Sequence, residues 1–239
     1  MKNKTIGILV GSLPEYLHDA LARRMNRLEE ISRKANEKGQ DIFPFSADVS
    51  NDGDIQNAVD FALEKFGRID VLVNCAGIMD NMVPIDEMND ELWDKVLSVN
   101  LTGPMKLTRL VIREMLKQGE GNIINIASVG GLHGCRAGTA YTVSKHGVIG
   151  MTKNIAYMYA GKGIRCNAIC PGAVETEIGV TGVNNPSPAG IERAMKGIGL
   201  NPRNGTPEEI AHIALFLASG DSRFVNGASI VADAGWTAY

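Results

Sequence analysis

The sequence predicts an α/β protein, a doubly wound parallel sheet formed by one domain over residues 1–239. Short apolar runs typical of strands alternate with longer segments in which apolar residues recur every three or four positions, as in helices. The runs Ile69–Asn74 and Asn122–Ala127 are almost continuously apolar, as expected for strands with both faces covered. No linker, repeat or low-complexity segment divides the chain, which has a suitable length for a single α/β domain.

The N-terminal part is expected to contain two strands and two helices. The strands are predicted at Ile6–Val10 and Ile42–Ala47, although Pro44 weakens the second. The helices are predicted at Asn26–Lys38 and Asp54–Phe66, and each is followed by a glycine that suits a helix end.

The middle of the chain continues the alternation. A long helical region from about Asp90 to Lys117 is interrupted by Pro104, which predicts a kink or bend near Asn100. A further helix is predicted at Tyr141–Ala160, and a strand at Ile164–Cys170.

The C-terminal part begins with a predicted loop, Glu175–Gly199, that is rich in Gly, Pro and Asn and contains a short helix near Ile191–Lys196. Thr206-Pro207-Glu208-Glu209 is a capping box with proline at the first helical position, so it predicts a helix that ends at Ala218. The last predicted strand is Ser229–Ala232. Because ligands of parallel sheets bind beyond the carboxyl ends of the strands, functional residues are expected in the loops that follow them.

Composition and charge argue against several classes of protein. The formal net charge is −3 and there is no long basic run, whereas nucleic-acid binding needs clustered Lys and Arg. No segment approaches the roughly 18–20 apolar residues of a membrane span, and Met1–Ser12 lacks the long apolar core of a signal peptide. We therefore expect a cytoplasmic protein with no nucleic-acid or membrane partner.

The four cysteines show no CxxC spacing. Cys75, Cys166 and Cys170 lie in apolar, strand-like segments, so we expect them to be small buried hydrophobic residues. No metal site or disulfide is predicted, and Cys135 is expected to have no special role.

Three predicted strands run into loops that suit a functional site. Parallel topology would bring these loops to one edge of the sheet. They begin with Asn74-Cys75-Ala76-Gly77, with Ser128 and with Pro171-Gly172.

Tyr141 and Lys145 open the helix that follows Ser128, and their spacing of four places them on one helical face. Tyrosine is a poor base at neutral pH because its ordinary pKa is about 10, and an adjacent ammonium group is expected to lower that pKa. The Ser128 hydroxyl can hold a substrate oxygen beside the phenol while Tyr141 gives or takes a proton. Interconversion of an alcohol and a carbonyl also moves a hydride, which implies a nicotinamide cofactor.

Together these residues and Asn100 resemble the short-chain dehydrogenase/reductase family, in particular its 3-oxoacyl-ACP reductase-like members, from about Arg23 to Trp236. The resemblance implies a Rossmann-like fold and an NAD- or NADP-dependent oxidoreductase. Its small-molecule substrate would be a secondary alcohol or ketone of the 3-oxoacyl thioester, sugar or steroid type. The implied assembly is a homotetramer or homodimer. The implied catalytic residues are Asn100, Ser128, Tyr141 and Lys145, with Asn100 helping to hold a water in a proton relay.

The same resemblance assigns a set of residues to the cofactor. Asp48 and Val49 would contact the adenine, and Lys145 would hold the nicotinamide ribose. Cys75 stands where the family motif Asn-Asn-Ala-Gly has its second Asn. The assigned residues are Gly11, Arg23, Asp48, Val49, Asn74, Ala76, Gly77, Tyr141, Lys145, Pro171, Gly172 and Thr176.

The N-terminal segment departs from the family pattern. The family's first turn, Thr-Gly-x-x-x-Gly-x-Gly, holds the cofactor pyrophosphate with backbone N–H groups, but only Gly11 matches it here, and Glu15 would face a phosphate. The segment from Ile6 to Arg24 has 19 residues, fewer than the roughly 30 of a βαβ unit. The first βαβ unit is therefore expected to be shortened. Arg23 or Arg24 beside a 2′-phosphate would favour NADP.

Three interpretations stay open at this point. The protein is an oxidoreductase with a trimmed cofactor site, or an inactive relative with lost or weak dinucleotide binding that serves as a scaffold or binds a partner. The third rests on Ile6–Leu13, which is similar to the start of flavodoxin-like flavin reductases, with Ser12 in an FMN-phosphate loop. The apolar tail Ala234–Tyr239 fits burial against a neighbouring subunit.

Overall fold

The computed structural model describes residues 6–9, 29–30, 32–34, 37, 39, 42–134, 136–176, 178, 183 and 185–239. Within these residues, one parallel sheet contains five strands whose spatial order is their order in the chain. They are β1 (Ile6–Leu9), β2 (Val71–Asn74), β3 (Gly121–Ile126), β4 (Ile164–Pro171) and β5 (Ser229–Ala232).

The longer helices of the described residues are α1 (Asp52–Phe66), α2 (Asp90–Leu97), α3 (Gly103–Gln118), α4 (Thr139–Tyr159), α5 (Pro188–Ile198) and α6 (Pro207–Ala218). Of the predicted helix Asn26–Lys38, the described residues 29–30 and 32–34 are helical. None of the helices in the described part of the chain combines the length and the apolarity needed to cross a membrane.

Helices cover both faces of the sheet. Side chains of α1, α3 and α4 pack on one face, together with Leu72 and Ile123. Side chains of α6 pack on the other face, against Val71 and Ile124. Adjacent strand residues point to opposite faces, so a strand covered on both sides is apolar throughout. The predicted doubly wound α/β fold is confirmed.

Helix ends fall where capping groups are available. The Asn51 side chain accepts a hydrogen bond from the backbone N–H of Asp54 and begins α1, and Gly67, at φ 72°, ends it. The predicted capping box between Thr206 and Glu209 is present at the start of α6. Each cap satisfies backbone groups that a helix end leaves unpaired.

The predicted strand at Ile42–Ala47 is wrong. These residues are extended, but no ladder joins them to another strand within the described residues. The rings of Phe43 and Phe45 pack instead on Phe66 and Phe61 of α1, with centroid distances of 5.5 and 4.8 Å. An extended segment becomes a strand only by pairing, and packing against α1 takes the place of pairing here. Val10, at the end of the first predicted strand, lies outside the described residues.

The interruption predicted in this helical region is present near Asn100, and the kink or bend itself stays a prediction. A π-helical turn, Ser98–Thr102, separates α2 from α3, and Pro104 lies in the first turn of α3. A Cβ atom added to Gly103 would lie 2.3 Å from the backbone oxygen of Val49. The start of α3 therefore touches the backbone that follows Asp48.

Candidate active site

The predicted catalytic residues come together at the carboxyl edge of the sheet. Ser128 follows β3, and Tyr141 and Lys145 lie in the first two turns of α4. Asn100 lies in the π-helical turn, and its side chain is hydrogen-bonded to Ile78 in the loop after β2. Residues from two crossovers, β2 to β3 and β3 to β4, thus meet where parallel strands end, as the topology predicts.

The side chains of Ser128 and Tyr141 lie close enough together for the Ser128 hydroxyl to lower the pKa of the Tyr141 phenol. The Ser128 Oγ atom also accepts a hydrogen bond from the Gly130 backbone N–H at 3.0 Å, which fixes the serine rotamer. An added Cβ on Gly130 would approach both Ser128 Oγ (3.3 Å) and the Tyr141 ring (3.4 Å). The two hydroxyl groups are therefore held side by side, an arrangement that can bind one carbonyl or alcohol oxygen.

Lys145 is buried, with 4% of its surface exposed. Its Nζ atom donates to the backbone oxygen of Ile126 at 2.9 Å and lies 5.6 Å from the centroid of the Tyr141 ring. Burial lowers the pKa of the ammonium group to about 8, and the thiols of Cys75 and Cys170 act in the opposite direction. The ammonium group is thus retained at neutral pH but can lose its proton under mildly alkaline conditions.

The pKa of Tyr141 departs from the sequence prediction. Removal of the phenol from water raises its pKa, and the charge of Asp80 raises it further, while the hydrogen bond with Ser128 lowers it. The expected lowering by Lys145 is wrong for this arrangement, because desolvation is the largest effect. Tyr141 therefore keeps its proton at neutral pH and is suited to donate it.

Asn100 joins the loop after β2 to α4 through side-chain hydrogen bonds. Its Oδ1 accepts from the backbone N–H of Ile78 at 2.8 Å, and its Nδ2 donates to the backbone oxygen of Ile78 at 2.9 Å. The same Nδ2 donates to Ser144 Oγ at 3.2 Å, and Ser144 donates to the backbone oxygen of Tyr141 at 2.7 Å. The Asn100 side chain is therefore a support of the site, and its part in a water relay stays a prediction.

Two residues of this site were not found by the sequence argument, Ser144 and Asp80. Ser144 is fully buried between Asn100 and the backbone of Tyr141. Asp80 is also fully buried, and its carboxylate accepts from the backbone N–H groups of Gly138 and Tyr141. The sequence did contain signals that could have identified them. Ser144 is a small polar residue directly before Lys145, and Asp80 is an acidic residue in a loop that follows a strand.

Asn74 faces the protein interior. Its Nδ2 donates to Thr108 Oγ1 at 3.0 Å and to Asn125 Oδ1 at 2.7 Å. Asn125 in turn donates to Thr152 Oγ1 at 2.8 Å, so a buried polar network joins β2 and β3 to α3 and α4. The Asn74 side chain fixes the ends of the strands below the site and leaves any cofactor contact to the backbone.

The residues assigned to adenine contacts lie beside α1. Asp48 is half-buried, and its Oδ1 accepts from the backbone N–H and the hydroxyl of Ser50. The side chain of Val49 is buried against Ala76 and Val99. A contact between Val49 and a cofactor would therefore be made by its backbone.

The remaining cofactor assignments fall at the edge of the sheet or outside the described residues. Pro171 ends β4, and Gly172 follows it with its N–H bonded to the oxygen of Ala232. Thr176 is exposed in the loop beyond. Gly11 and Arg23 lie outside the described residues, as do Ser12, Glu15 and Arg24.

Cys75 is exposed, so the prediction that it is buried is wrong; Cys166 and Cys170 are buried as predicted. The reason is the position of the strand end. β2 stops at Asn74, and Cys75 is the first residue beyond the sheet. Although part of Cys75 is exposed, burial of the thiol raises its pKa, and the Lys145 charge lowers it. Cys135 lies outside the described residues.

Within the C-terminal tail, Trp236 packs on its own chain, whereas most of the other tail residues are exposed. Trp236 is buried, and its indole N–H donates to the backbone oxygen of Gly197 at 2.8 Å. The guanidinium group of Arg136 lies 4.3 Å from the centroid of the Trp236 ring and donates to the Tyr239 hydroxyl at 3.2 Å. For Trp236, the expected burial against a neighbouring subunit is therefore wrong, because the loop before α4 and the end of α5 already cover it.

The described residues fit a nicotinamide ribose at this edge. Gly77 leaves room beside Lys145, since an added Cβ would lie 3.5 Å from Lys145 Nζ and 3.6 Å from Asn100 Oδ1. The Lys145 ammonium and the Tyr141 hydroxyl are donors suited to ribose hydroxyl groups. The carboxyl end of β1 is adjacent, because Leu9 pairs with Asn74.

The comparisons with known proteins agree with this geometry. A family model described as enoyl-(acyl carrier protein) reductase matches residues 16–237. The 3β-hydroxysteroid dehydrogenase 2 of Eggerthella lenta is 47% identical over 213 residues, which are 89% of this chain and 82% of the relative. The chain belongs to the short-chain dehydrogenase/reductase family. As a member, it is an oxidoreductase of alcohol or ketone substrates in a family that uses NAD(P).

Two further relatives of this short-chain dehydrogenase/reductase are informative. The 3-oxoacyl-[acyl-carrier-protein] reductase FabG of Thermotoga maritima is 39% identical over 208 residues, 87% of this chain and 82% of the relative. The crystal structure of levodione reductase is similar with a TM-score of 0.76 and 34% identity, and the match covers 99% of this chain and 89% of that one. The predicted family and enzyme class are thus confirmed.

Proposed function

We propose that the protein reduces a ketone to a secondary alcohol, and catalyses the reverse reaction, with Tyr141 as the acid or base. The observation that carries the proposal is the close approach of the Tyr141 and Ser128 side chains beside Gly130, after the end of β3. A nicotinamide cofactor, NADH or NADPH, supplies the hydride in reduction and accepts it in oxidation. The Ser128 and Tyr141 hydroxyl groups bind the substrate oxygen, and Tyr141 donates its proton to that oxygen in reduction.

The protonation state of Tyr141 favours the reductive direction near neutral pH. Its raised pKa keeps the phenol protonated, so the acid form needed for carbonyl reduction predominates. Alcohol oxidation needs the phenolate and is expected to increase at alkaline pH. Lys145 holds the nicotinamide ribose in this proposal, and Asn100 keeps the loop after β2 against α4.

Among the three substrate types, a steroid or a similar apolar ring system is favoured. The relative with 47% identity is named a 3β-hydroxysteroid dehydrogenase, whereas the 3-oxoacyl reductase is 39% identical. The segment after β4 exposes the apolar side chains of Ile178, Met195 and Leu200. Such side chains suit burial against an apolar substrate better than against a sugar.

Calorimetric titration with NADH and NADPH tests which cofactor the protein uses and how strongly it binds a dinucleotide. Binding of one dinucleotide identifies the cofactor. Binding of neither at millimolar concentration would overturn the proposal and favour the alternative, an inactive relative with a scaffold or partner-binding role. That alternative is motivated by the N-terminal turn, in which only Gly11 matches the family glycines.

Substrate class is tested with the cofactor that binds. A 3-oxosteroid, a 3-oxoacyl thioester and a ketose are compared by following nicotinamide absorbance, with Tyr141→Phe as the inactive control. We expect the 3-oxosteroid to give the highest kcat/KM. Preference for either of the other two ketones would overturn the steroid assignment but not the reaction type.

We also propose a cytoplasmic homotetramer or homodimer formed by single-domain subunits. The support is a group of exposed large apolar side chains on α4, on α6 and after α6: Tyr157, Met158, Leu215, Phe216 and Phe224. Tyr157 is 85% exposed and Phe224 104% exposed within one chain, and large exposed apolar side chains are often covered at subunit contacts. Light scattering of the purified protein measures the assembly, and a monomer would contradict it.

A further inference from the structure

We propose that Asp80 is a positioning residue that holds Tyr141 through the first turn of α4 and tunes the proton transfer. The inference rests on the proposed function of Tyr141 as acid or base. Asp80 is distant from Tyr141 in sequence and belongs to the loop after β2. It is therefore the packing of two crossovers that brings the carboxylate to the catalytic helix.

The carboxylate of Asp80 serves as the N-terminal cap of α4. The residue at the cap position, Gly138, has no side chain to accept a hydrogen bond. Asp80 Oδ1 accepts from the Gly138 N–H at 3.0 Å, and Oδ2 accepts from the Tyr141 N–H at 2.9 Å. These are the N–H groups that a helix start leaves unpaired, and negative charge is favourable at that end of a helix.

Gly138 is fitted closely to this carboxylate. An added Cβ atom would lie 2.6 Å from Asp80 Oδ2, 2.7 Å from Asp80 Oδ1 and 2.4 Å from the backbone nitrogen of Val83. Only a residue without a side chain admits the carboxylate at this distance. The approach of Asp80 thus excludes the side chains that normally cap a helix, and the cap is supplied from another segment.

The turn that carries Asp80 is strained. Asn81 and Met82 have φ values of 55° and 57°, in the left-handed region that non-glycine residues rarely adopt. The turn is held by hydrogen bonds from the Met82 N–H to Asp80 Oδ1 (3.2 Å) and from the Thr139 N–H to the Val83 oxygen (2.9 Å). Consecutive strained residues persist where the surrounding structure imposes them, which is common at functional sites.

The same turn also contacts the start of α5. The Ser187 N–H donates to the Asn81 oxygen at 3.0 Å, and an added Cβ on Gly190 would collide with the Met82 oxygen. The segment proposed to cover the substrate therefore rests on the turn that holds the catalytic helix. A displacement of Asp80 is expected to disturb both the acid and the substrate site.

The charges around Tyr141 give Asp80 a second, electrostatic effect. The carboxylate disfavours the phenolate, whereas the Ser128 hydrogen bond favours it. Cationic groups also lie near this end of α4. Lys145 Nζ is 5.6 Å from the centroid of the Tyr141 ring, and Arg136 lies in the preceding loop. Burial raises the pKa of the Asp80 carboxyl, and the backbone N–H groups of Tyr141, Gly138 and Met82, which donate to it, act in the opposite direction.

The test measures the titration of Tyr141 without substrate or cofactor. Protein labelled with carbon-13 at the tyrosine Cζ is titrated by NMR, and the Tyr141 signal is assigned by its absence in Tyr141→Phe. In Asp80→Asn we expect the pKa of Tyr141 to fall, because a negative charge has been removed. If turnover is established, kcat is also expected to fall at least tenfold, with a smaller change in cofactor affinity. An unchanged Tyr141 pKa would overturn the proposal.

A matched control shows whether the change in the Tyr141 pKa is specific to Asp80 or follows the loss of a helix cap elsewhere in the protein. Asn89 caps α2 by accepting from the Leu92 N–H at 2.8 Å, so Asn89→Ala removes a cap outside the site. It should lower the thermal midpoint and leave the Tyr141 titration unchanged. If Asn89→Ala and Asp80→Asn shifted the pKa of Tyr141 equally, Asp80 would be no more than a structural cap, and the proposal would be overturned.

A second substitution covers the case in which Asp80→Asn does not fold. Asp80→Ser keeps a small hydroxyl acceptor for the helix start but removes the charge, and it is expected to lower the Tyr141 pKa in the same direction. Because the titration requires no catalysis, failure of the proposed enzymatic function and failure of the Asp80 inference give different results. A Tyr141 pKa that stays at the wild-type value in Asp80→Ser would contradict the inference.

Discussion

The backbone oxygen of Ile126 accepts a hydrogen bond from the ammonium group of Lys145 at 2.9 Å. Ile126 is the last residue of β3, so the central strand itself fixes the lysine next to Tyr141. This contact satisfies one N–H of a charged group that is otherwise removed from water, and the remaining cost of burial lowers the lysine pKa to about 8. The buried ammonium group of Lys145 is therefore destabilised, and this should be measurable in the pH dependence of protein stability.

The first prediction concerns stability and pH. The pKa of Lys145 is about 8 in the folded protein and 10.5 ordinarily, so the unfolded chain binds more protons between these values and stability rises with pH. Relative to Lys145→Met, which lacks this titration, the wild type should gain about 3 kcal/mol from pH 7 to pH 10.5. Urea unfolding of both proteins across this range measures the difference, and parallel stability curves would contradict the buried charge.

The second prediction concerns the proton transfer. Tyr141→Phe removes the hydroxyl whose pKa is lowered by Ser128 and raised by burial, and kcat should fall by a factor of about 10²–10⁴. Cofactor affinity should change little, which calorimetry can verify. Tyr157→Phe is the matched control, since Tyr157 is on the same helix with its side chain exposed. A Tyr141→Phe protein with wild-type kcat would refute the assigned acid or base.

The third prediction concerns Asn100. Asn100→Asp keeps the acceptor for the Ile78 N–H but directs a carboxylate oxygen at the Ile78 carbonyl, where Nδ2 now donates. Loss of that buried hydrogen bond should cost about 1–3 kcal/mol in the free energy of unfolding.

The control for Asn100→Asp is Asn89→Asp, at an exposed helix start. Asp is as good a cap as Asn there, so stability should change by less than about 0.5 kcal/mol. Equal costs for the two substitutions in urea unfolding would show that the Ile78 contacts of Asn100 contribute nothing.

The fourth prediction concerns the contact between Gly103 and Val49. In Gly103→Ala the new Cβ would lie 2.3 Å from the Val49 backbone oxygen, so either α3 or the backbone beside Asp48 must move. We expect a destabilisation of about 1–3 kcal/mol and weaker dinucleotide binding by calorimetry.

The control for Gly103→Ala is Gly150→Ala within α4. An added Cβ at Gly150 has nothing within 4 Å, so alanine should stabilise the helix by about 0.5–1 kcal/mol. Gly103→Ala with wild-type stability and dinucleotide affinity would show that the contact does not constrain the site.

Much of the site could be predicted from local pattern. The spacing of Tyr141 and Lys145 fixes their common helical face, and the position of Ser128 after a buried strand fixes the edge at which they meet. The π-helical turn that contains Asn100 likewise lies where Pro104 predicted an interruption of the α-helix. These properties depend on residues close together in the chain.

Other features required knowledge of which segments pack together. The segment Ile42–Ala47 has a strand-like composition, but strand formation depends on a partner, and its aromatic rings pack on α1 instead. The direction of the Asn74 side chain was likewise set by Thr108 and Asn125, which are far from it in sequence.

By itself, the sequence determined the α/β fold, the strand ends that meet at one edge and the residues that we propose carry the chemistry there. Only the tertiary structure decided the direction in which the pKa values of Tyr141 and Lys145 are shifted. Desolvation and the charge of Asp80 raise the pKa of Tyr141, while burial lowers that of Lys145. The physical reason is that helix and strand periodicity is a property of neighbouring residues, whereas the free energy of a charge depends on everything packed around it.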